Sequence, residues 1–268
     1  MNKFDIKDKF DSILYTLYNL IADILFNLDL SSKKLIKQNI KYRNKHESQR
    51  CFIMGTGPSL LALSKANVNA LSNEIIIGTN SLYKAEIVSS LTPTYYSLVD
   101  DLYRNKLGHT FDEVFLKYKK RPPIFITDYR AAFTATEASP NNQHIFIYSK
   151  KYPTTQMRDD LDTNIYAAMN VVSYSILVAM FMGFKRIYLL GCDYNAFCTD
   201  GKGHAYDDRL ESKQVNYNLA FYLKFYWITT EFHYLIARLA RKKKIEIVNL
   251  TPNSLLDAYP SGSLDQLF

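Results

Sequence analysis

The most informative part of this chain is the stretch RCFIMGTGPSLLAL, residues 50–63. Its apolar run, residues 51–54, is typical of a buried strand and ends in Gly55-Thr56-Gly57-Pro58-Ser59. A Gly-x-Gly turn lets the backbone bend tightly and lets a ligand approach its N–H groups. Pro58 suits the first turn of a helix, where a missing N–H costs nothing. The pattern predicts a helix start that binds an anion such as a phosphate, with a purely structural turn as the alternative.

Short apolar runs alternate with longer helical patterns from residue 50 onward. The predicted strands are residues 51–54, 74–78, 95–99, 123–126, 145–148, 186–190 and 245–248. Helices are predicted over 164–182 and within 210–242, and the polar segment 130–142 is predicted to be a surface loop or lid. This alternation favours an α/β, Rossmann-like fold, with a mostly parallel sheet and helices on both faces.

Composition narrows the class of protein. The chain has 268 residues, of which 47% are hydrophobic, so it can bury a large core and is not a disordered chain. Its three cysteines form no metal-ligand pattern and no signal peptide is recognised, which predicts a cytoplasmic location. The net charge of +7 allows phosphorylated substrates or an anionic membrane surface as partners. No nucleic-acid-binding module is recognised, and no nucleic-acid partner is expected.

The N-terminal segment 1–49 is predicted to be an appendage to a catalytic domain spanning 50–268. Apolar residues recur at helical spacing over 4–30, and the basic residues Lys33, Lys34, Lys37, Lys41, Arg43 and Lys45 follow. An amphipathic helix with a basic stretch behind it can lie on an anionic bilayer, in a peripheral position on the inner face of the membrane. The polar face of the helix itself is acidic, which favours the other interpretation, a helix packed on its own core or on another subunit of a homo-oligomer.

Polar side chains follow three of the predicted strands. Asn80 follows one strand, Asp100 and Asp101 follow the next, and Gly191, Asp193, Tyr194 and Asn195 follow a third. Ligands of open α/β sheets bind beyond the carboxyl ends of the strands, so these residues predict one shared cleft. Each of them also suits a helix cap, Asp100 and Asp193 especially.

Taken together, these stretches resemble the bacterial sialyltransferases that use CMP-sialic acid and decorate lipooligosaccharide, and the wider MptE-like group. The matching motifs are Gly55-Thr56-Gly57-Pro58-Ser59-Leu60, Thr79-Asn80, the run from Gly183 to Tyr194, and Pro252-Asn253-Ser254-Leu255-Leu256. Thr56 and Asp100 stand where the family has asparagine. The resemblance implies a Rossmann-like fold and a CMP-sugar site formed by Gly55, Thr56, Gly57, Pro58, Ser59, Asn80, Gly191, Asp193, Tyr194, Asn195, Tyr206, Pro252, Asn253 and Ser254.

Glycosyl transfer needs a base for the acceptor hydroxyl and donors for the departing phosphate. His204, in the glycine-containing stretch GKGHAYDDR, is the candidate base or phosphate donor, and Tyr206 is a candidate phosphate donor. Asp100 is a candidate base, sugar ligand or, with Asp101, metal ligand. His233 lies in a predicted helix, where packing or capping explains it. Pro252, Asn253 and Ser254 form either part of the nucleotide site or a simple turn.

Three functions follow from these residues. The first is an enzyme, a metal-independent glycosyltransferase that moves an acidic sugar, a sialic acid-like nonulosonate or Kdo, from a CMP-sugar donor to a glycan or glycolipid acceptor. It needs no cofactor. The second is a diphosphokinase of the MptE-like group that needs ATP and magnesium. The third is a nucleotide-binding or assembly protein without catalytic activity.

Overall fold

A computed structural model describes residues 3–198, 203–209 and 218–268, with side chains described from Lys9 onward. Seven parallel strands form one sheet in the order β5-β4-β3-β2-β1-β6-β7. Their bounds are β1 Arg50–Met54, β2 Ile76–Thr79, β3 Tyr95–Leu98, β4 Ile124–Asp128, β5 Ile145–Ile147, β6 Arg186–Leu190 and β7 Glu246–Asn249. All seven lie at the predicted places, within two residues at each end, which confirms the predicted parallel α/β sheet.

Helices cover both faces of the sheet. Their bounds are α1 Lys3–Leu28, α2 Leu30–Lys37, α3 Lys65–Leu71, α4 Asp101–Asn105, α5 Thr110–Lys117, α6 Ala132–Ala138, α7 Val171–Phe181 and α8 Leu219–Lys242. Side chains of β1 alternate between the two faces: Cys51 and Ile53 join a core with α7 and α8, whereas Phe52 and Met54 join a core with α2 to α6. The strands are apolar on both faces because both faces are covered.

The helix predicted over 164–182 begins later than expected, and this prediction is corrected. Residues 164–170 are not helical, and the Ala167 N–H donates to the carbonyl of Lys151 at 2.7 Å. The side chain of Asn170 then accepts hydrogen bonds from the N–H groups of Val172 and Ser173, so α7 starts at residue 171. The apolar run continues through both parts because both are buried. Of the helix predicted within 210–242, the structure describes α8, and residues 210–217 lie outside the described part.

The segment 130–142 is not the loop or lid that its composition predicts. Residues 132–138 form α6, and Ala135 and Ala138 are buried against the sheet. Small residues allow this helix to approach the sheet closely, so composition alone does not separate it from a surface loop. The start of the segment, Arg130, follows β4 and lies at the candidate site described below.

The N-terminal helices differ in how deeply they pack. In α2 and the single helical turn that follows it, Ile36, Asn39 and Tyr42 are fully or almost fully buried with the core of the sheet. In α1, most large apolar side chains are exposed. No single helix in the described parts of the chain is long and apolar enough to cross a membrane. The segments Lys9–Leu28 and Leu30–Tyr42, bent by 88°, reach the required length and composition together.

Candidate functional site

The strand order reverses between β1 and β6, and both predicted glycine motifs lie there. β1 continues into Gly55 and Gly57, and β6 continues into Gly191 and Asp193. The N–H groups of Gly55 and Gly57 donate to the carbonyls of Leu190 and Gly191, both at 2.8 Å. A Cβ atom on Gly55 would stand 2.4 Å from the Gly191 carbonyl oxygen, and one on Gly57 would stand 1.8 Å from a carboxylate oxygen of Asp193. These glycines therefore allow two loops of the protein itself to meet.

The carboxylate of Asp193 occupies the helix start that follows this turn. Ser59 donates its N–H to Oδ1 of Asp193 at 3.1 Å and its hydroxyl to Oδ2 at 2.7 Å. Pro58 is the first residue of the short 3-10 helix Pro58–Ala62, as its position in the sequence predicts. The hydrogen-bond donors that the sequence assigns to a phosphate are thus bonded to an anion from the same chain.

Two further predicted segments close around the same point. Ser254 donates its hydroxyl to the Cys192 carbonyl at 2.6 Å, and Leu255 donates its N–H to the Asp193 carbonyl at 3.0 Å. From the segment 203–209, the Ala205 N–H donates to the Thr56 carbonyl at 2.8 Å. The structure therefore brings most of the predicted site residues together. They are joined by hydrogen bonds to one another.

The remaining members of the predicted set lie at the edge of this contact. Pro252 and Asn253 are exposed in a turn, and Asn195 is partly exposed and accepts a hydrogen bond from Cys198. Tyr194 has a positive φ of 58° and its hydroxyl bonds to Thr229 of α8. The positions of Pro252 and Asn253 fit the simple turn that is the alternative prediction for residues 252–254.

His204 lies in the described segment 203–209, next to the residue that contacts Thr56. Its Nδ1 is 2.7 Å from Oδ2 of Asp208, and its ring stacks on Tyr206 with centroids 5.2 Å apart. The ammonium of Lys84 lies 5.9 Å from the centre of the Tyr206 ring. A carboxylate that accepts the Nδ1 proton leaves Nε2 as the acceptor, which is the arrangement that a general base needs. The sequence did not identify Asp208 as this partner.

An open cleft of about 580 Å³ lies to one side of the contact between the ends of β1 and β6, beyond the carboxyl ends of β3, β4 and β5. The α7 and α8 helices form its opposite wall. The lining residues are Val99, Asp100, Asp101, Asp128, Arg130, Ser149, Met169, Tyr174, Phe221, Lys224, Phe225 and Ile228. Of the candidates named from the sequence, Asp100 and Asp101 line this cleft.

Asp100 is held at the cleft wall by Asn80. The side-chain Nδ2 of Asn80 donates to Oδ2 of Asp100 at 3.0 Å, and Asn80 itself has a positive φ of 46°. Burial raises the pKa of the Asp100 carboxyl above its usual value, the hydrogen bond from Asn80 opposes this shift, and the charge of Asp101 adds to it. A carboxyl group with a raised pKa is a better proton acceptor than an ordinary surface aspartate.

The charges of the cleft are arranged around Arg130. Its guanidinium donates to both carboxylate oxygens of Asp128, at 2.7 and 2.9 Å, and to Asp101 at 3.3 Å. Arg104 also reaches Asp101, at 3.0 Å. Lys224 has no hydrogen bond or ion pair with any residue that the structure describes. Within the same described ranges, no group of three or more His, Cys, Asp and Glu side chains could hold a metal ion.

Sequence reasoning missed most of this cleft. Asp128 follows the rule that located Asp100, but the predicted strand ended two residues early, at 126 rather than 128. Arg130 was assigned to a loop. Lys224 and Tyr174 lie inside helices, where nothing in the local sequence separates a cleft-facing side chain from any other. A longer β4 in the prediction would have identified Asp128 and Arg130.

The fold and the cleft define an open parallel α/β protein with a site at the carboxyl edge of its sheet. A sequence model of the family described as 6-hydroxymethylpterin diphosphokinase MptE-like matches residues 18–198. This match covers more than half of the chain, and the protein belongs to the MptE-like family. A comparison with curated proteins found no match.

Solved structures of other proteins align with this chain. The sialyltransferase CstII from Campylobacter jejuni, in complex with CMP-3FNeuAc, is similar over 80% of this chain and 86% of that chain, with 17% identity and a TM-score of 0.51. Its complex with cytidine-5'-monophosphate aligns with 14% identity and a TM-score of 0.49, over 81% of this chain and 85% of that chain. The MAf glycosyltransferase from Magnetospirillum magneticum AMB-1 aligns with 12% identity and a TM-score of 0.49. That alignment covers 88% of this chain but 39% of the MAf glycosyltransferase. At these identities the similarity concerns the fold.

Proposed function

We propose that this protein is a glycosyltransferase that moves an acidic sugar from a CMP-sugar to a surface glycan acceptor. The observation that carries the proposal is the cleft at the ends of β3, β4 and β5, which is lined by Asp100, Arg130 and Lys224. The fold shared with a sialyltransferase that binds a CMP-sugar analogue supports the choice of donor. A donor with a phosphate and a carboxylate is anionic, and Lys224 offers a cation that no described residue neutralises.

Asp100 is the proposed base for the acceptor hydroxyl. It lines the cleft, and burial raises the pKa of its carboxyl, which makes it a better proton acceptor than an ordinary surface aspartate. His204, oriented by Asp208, is the second candidate for this role or a donor to the departing phosphate. The two candidates are linked through the structure: Tyr206 stacks on His204 and lies under Lys84, whose helical turn Asn80–Lys84 begins at the residue that bonds Asp100.

The proposed reaction proceeds without a metal ion. A CMP leaving group departs as a monophosphate, which protein hydroxyl, amide and cationic groups are able to stabilise. In the cleft, Asp128 and Asp101 are paired with Arg130, and Arg104 also pairs with Asp101, so two guanidinium groups balance these two carboxylates. A magnesium ion bound there would have to compete with both arginines.

The test is calorimetric titration with CMP, UMP, UDP and ATP, each with and without magnesium. We expect CMP to bind without magnesium. Lys224→Gln should raise the Kd for CMP about fivefold, a change of about 1 kcal/mol typical of one exposed charge. The matched control is Lys242→Gln, which removes another exposed lysine from the same helix, and it should bind CMP as the wild type does.

The catalytic part of the proposal is tested by transfer rates from a CMP-sugar. Asp100→Asn should lower the rate about a hundredfold or more, because general-base catalysis contributes about 10²–10⁴-fold. CMP affinity should stay within about threefold. His204→Ala, compared in the same assay, shows whether His204 also contributes to transfer, as base or as donor to the departing phosphate. Unchanged rates in both variants would show that the reaction does not take place at this site.

A second candidate function is a diphosphokinase that uses magnesium-ATP. The description of the family and the three carboxylates of the cleft favour it. Binding of ATP that requires magnesium and is lost in Asp100→Asn would support this function instead of the first. Absence of binding for all four nucleotides would support a non-catalytic assembly protein.

A further inference from the structure

The α1 helix is attached to the rest of the protein by polar contacts and by the buried side chains of Ala22 and Phe26. The Asn19 amide donates to the Tyr152 carbonyl at 2.9 Å and accepts the Tyr152 N–H at 2.7 Å. Asp23 accepts a hydrogen bond from Asn164 at 3.0 Å and forms an ion pair with Lys151 at 3.3 Å. Tyr15 stacks on Tyr152 with ring centroids 3.8 Å apart. The polar side chains of Asn19 and Asp23, which would normally face water, are thus bonded to the folded protein.

The opposite face of α1 is apolar and exposed. Nine aliphatic or aromatic side chains are each more than half exposed: Phe10, Ile13, Leu14, Leu17, Leu20, Ile21, Ile24, Leu25 and Leu28. The charged residues between Phe10 and Leu28 are Asp11 and Asp23, and Asp23 is bonded inward. Soluble monomers rarely expose one apolar patch of this size, so this face is expected to have a partner.

The apolar face of α1 is wider than contact with one partner helix requires, which favours a flat apolar layer as its partner. Residues 10, 14, 17, 21, 24 and 28 follow the three-and-four spacing of a helix-pairing seam. Ile13, Leu20 and Leu25 extend the apolar surface to both sides of that seam. Paired helices usually carry complementary charges at these flanking positions, whereas here they are apolar. A helix that is apolar over about half its circumference is typical of one lying in a lipid interface.

The charge of residues 30–49, which follow α1, indicates the chemistry of the layer that the apolar face of α1 contacts. Residues 30–49 contain six basic residues and one acidic residue, Glu47. Lys37 and Arg43 are paired with Asp162, which leaves Lys33, Lys34, Lys41 and Lys45 to give this segment a positive outer surface. A second copy of the chain would bring the same positive segment to the contact, whereas anionic lipid complements it.

We propose that α1 docks this protein on an anionic lipid bilayer. Its apolar face enters the boundary between headgroups and acyl chains, and the basic segment 30–49 supplies attraction to the lipid phosphates. The polar contacts of Asn19 and Asp23 fix the helix to the folded protein, so that docking also orients it. This inference is independent of the proposed donor and of transferase activity.

The test is flotation of the full-length protein with vesicles of phosphatidylcholine alone or with about one third phosphatidylglycerol. The test variant is Leu17→Ser/Ile21→Ser/Ile24→Ser, which changes exposed side chains and leaves the polar face intact. The matched control is Leu61→Ser/Leu116→Ser/Phe133→Ser, in which three similarly exposed apolar residues lie outside α1. Circular dichroism and CMP titration on both variants report whether the fold and the nucleotide site are unaffected.

We expect the wild type and the control to float with the anionic vesicles, and the test variant to bind them at least tenfold more weakly. Binding of the wild type should also weaken at least threefold between about 0.1 M and about 0.5 M salt, because the Debye length shortens from about 10 Å to about 4 Å and the attraction to lipid phosphates is screened. Equal vesicle binding by all three proteins would overturn the inference. So would an oligomer of the wild type that becomes monomeric in the test variant, with no vesicle binding by either.

Discussion

At the scale of single residues, Asp193 is the residue that accounts for the glycine-rich turn. It lies 134 positions after Ser59 in the chain, yet its two carboxylate oxygens accept both hydrogen bonds of that serine. Gly57 is required because its Cα hydrogen faces this carboxylate, where no side chain fits. The turn therefore joins the ends of the adjacent strands β1 and β6, where the strand order reverses.

Gly57→Ala is predicted to destabilise the protein. The new methyl carbon would stand 1.8 Å from Oδ2 of Asp193, so the carboxylate must move and its bonds to Ser59 must break. Overpacking of this kind costs about 1–3 kcal/mol in the free energy of unfolding. Chemical denaturation measures it, and Gly108→Ala is the matched control because the nearest atom to its Cβ would be 3.8 Å away. Equal stability of the two variants would contradict the contact between Gly57 and Asp193.

The anion at this turn shows how far a residue pattern can be interpreted. The Gly-x-Gly-Pro-Ser motif predicts a negative group at the N–H of Ser59, and the structure has one there. Whether that group belongs to a ligand or to the protein depends on which distant loop folds against the turn. Asp193 was identified as a site residue from its position after a strand, but no local pattern pairs it with Ser59.

At the scale of secondary-structure elements, α7 and α8 meet around a buried histidine. His233 of α8 is completely buried, with Nε2 3.0 Å from the Ser173 hydroxyl and Nδ1 2.9 Å from the Tyr259 hydroxyl. Burial lowers the pKa of His233 to about 3, so the ring is neutral at neutral pH. Packing explains this residue, as the sequence suggested for a histidine inside a helix.

This histidine predicts a loss of stability in acid. Between pH 6.5 and about 3, the unfolded chain binds a proton at His233 that the folded protein does not. The stability associated with the neutral ring is therefore present above pH 6.5 and is lost as the pH falls. From pH 7 to pH 5, the wild type should lose about 2 kcal/mol more than His233→Gln, since each pH unit below the ordinary pKa costs about 1.36 kcal/mol. Urea titrations at the two pH values measure the difference, and parallel losses in both proteins would show that His233 does not cause it.

The elements themselves were largely predictable. Strands of a parallel sheet are covered on both faces and appear in the sequence as short continuous apolar runs, and all seven were found this way. Helix boundaries were less predictable, because residues 164–170 and α7 are equally buried but only the second is helical. The cleft was the least predictable feature, since it depends on which side chains of α7 and α8 face the ends of β3 to β5.

At the scale of the whole molecule, residues 30–49 are anchored in the core by the buried side chains of Ile36, Asn39 and Tyr42. The Asn39 amide donates to the carbonyls of Phe146 and Leu161, both at 2.6 Å, and accepts the Phe146 N–H at 3.1 Å. Ile36 and Tyr42 are buried beside it. The segment therefore fills space at the β5 side of the sheet.

Two truncated chains test the importance of this packing. A chain that starts at Leu30 is predicted to fold with one cooperative unfolding transition. A chain that starts at Arg50 is predicted to be insoluble or to lack a cooperative transition, because it loses three buried side chains and leaves buried backbone groups of Phe146 and Leu161 without partners. Thermal unfolding followed by circular dichroism checks both, and cooperative unfolding of the shorter chain would make 50–268 an independent domain.

The separation between the β1–β6 contact and the cleft has a consequence for how this architecture can diverge. The contact through Asp193 joins the ends of β1 and β6 without any ligand, so its residues are constrained by folding. The cleft is lined by side chains from helices and strand ends that the contact does not involve. Mutation can therefore alter the chemistry accepted by the cleft while the fold is inherited unchanged, which allows one scaffold to serve enzymes with different substrates.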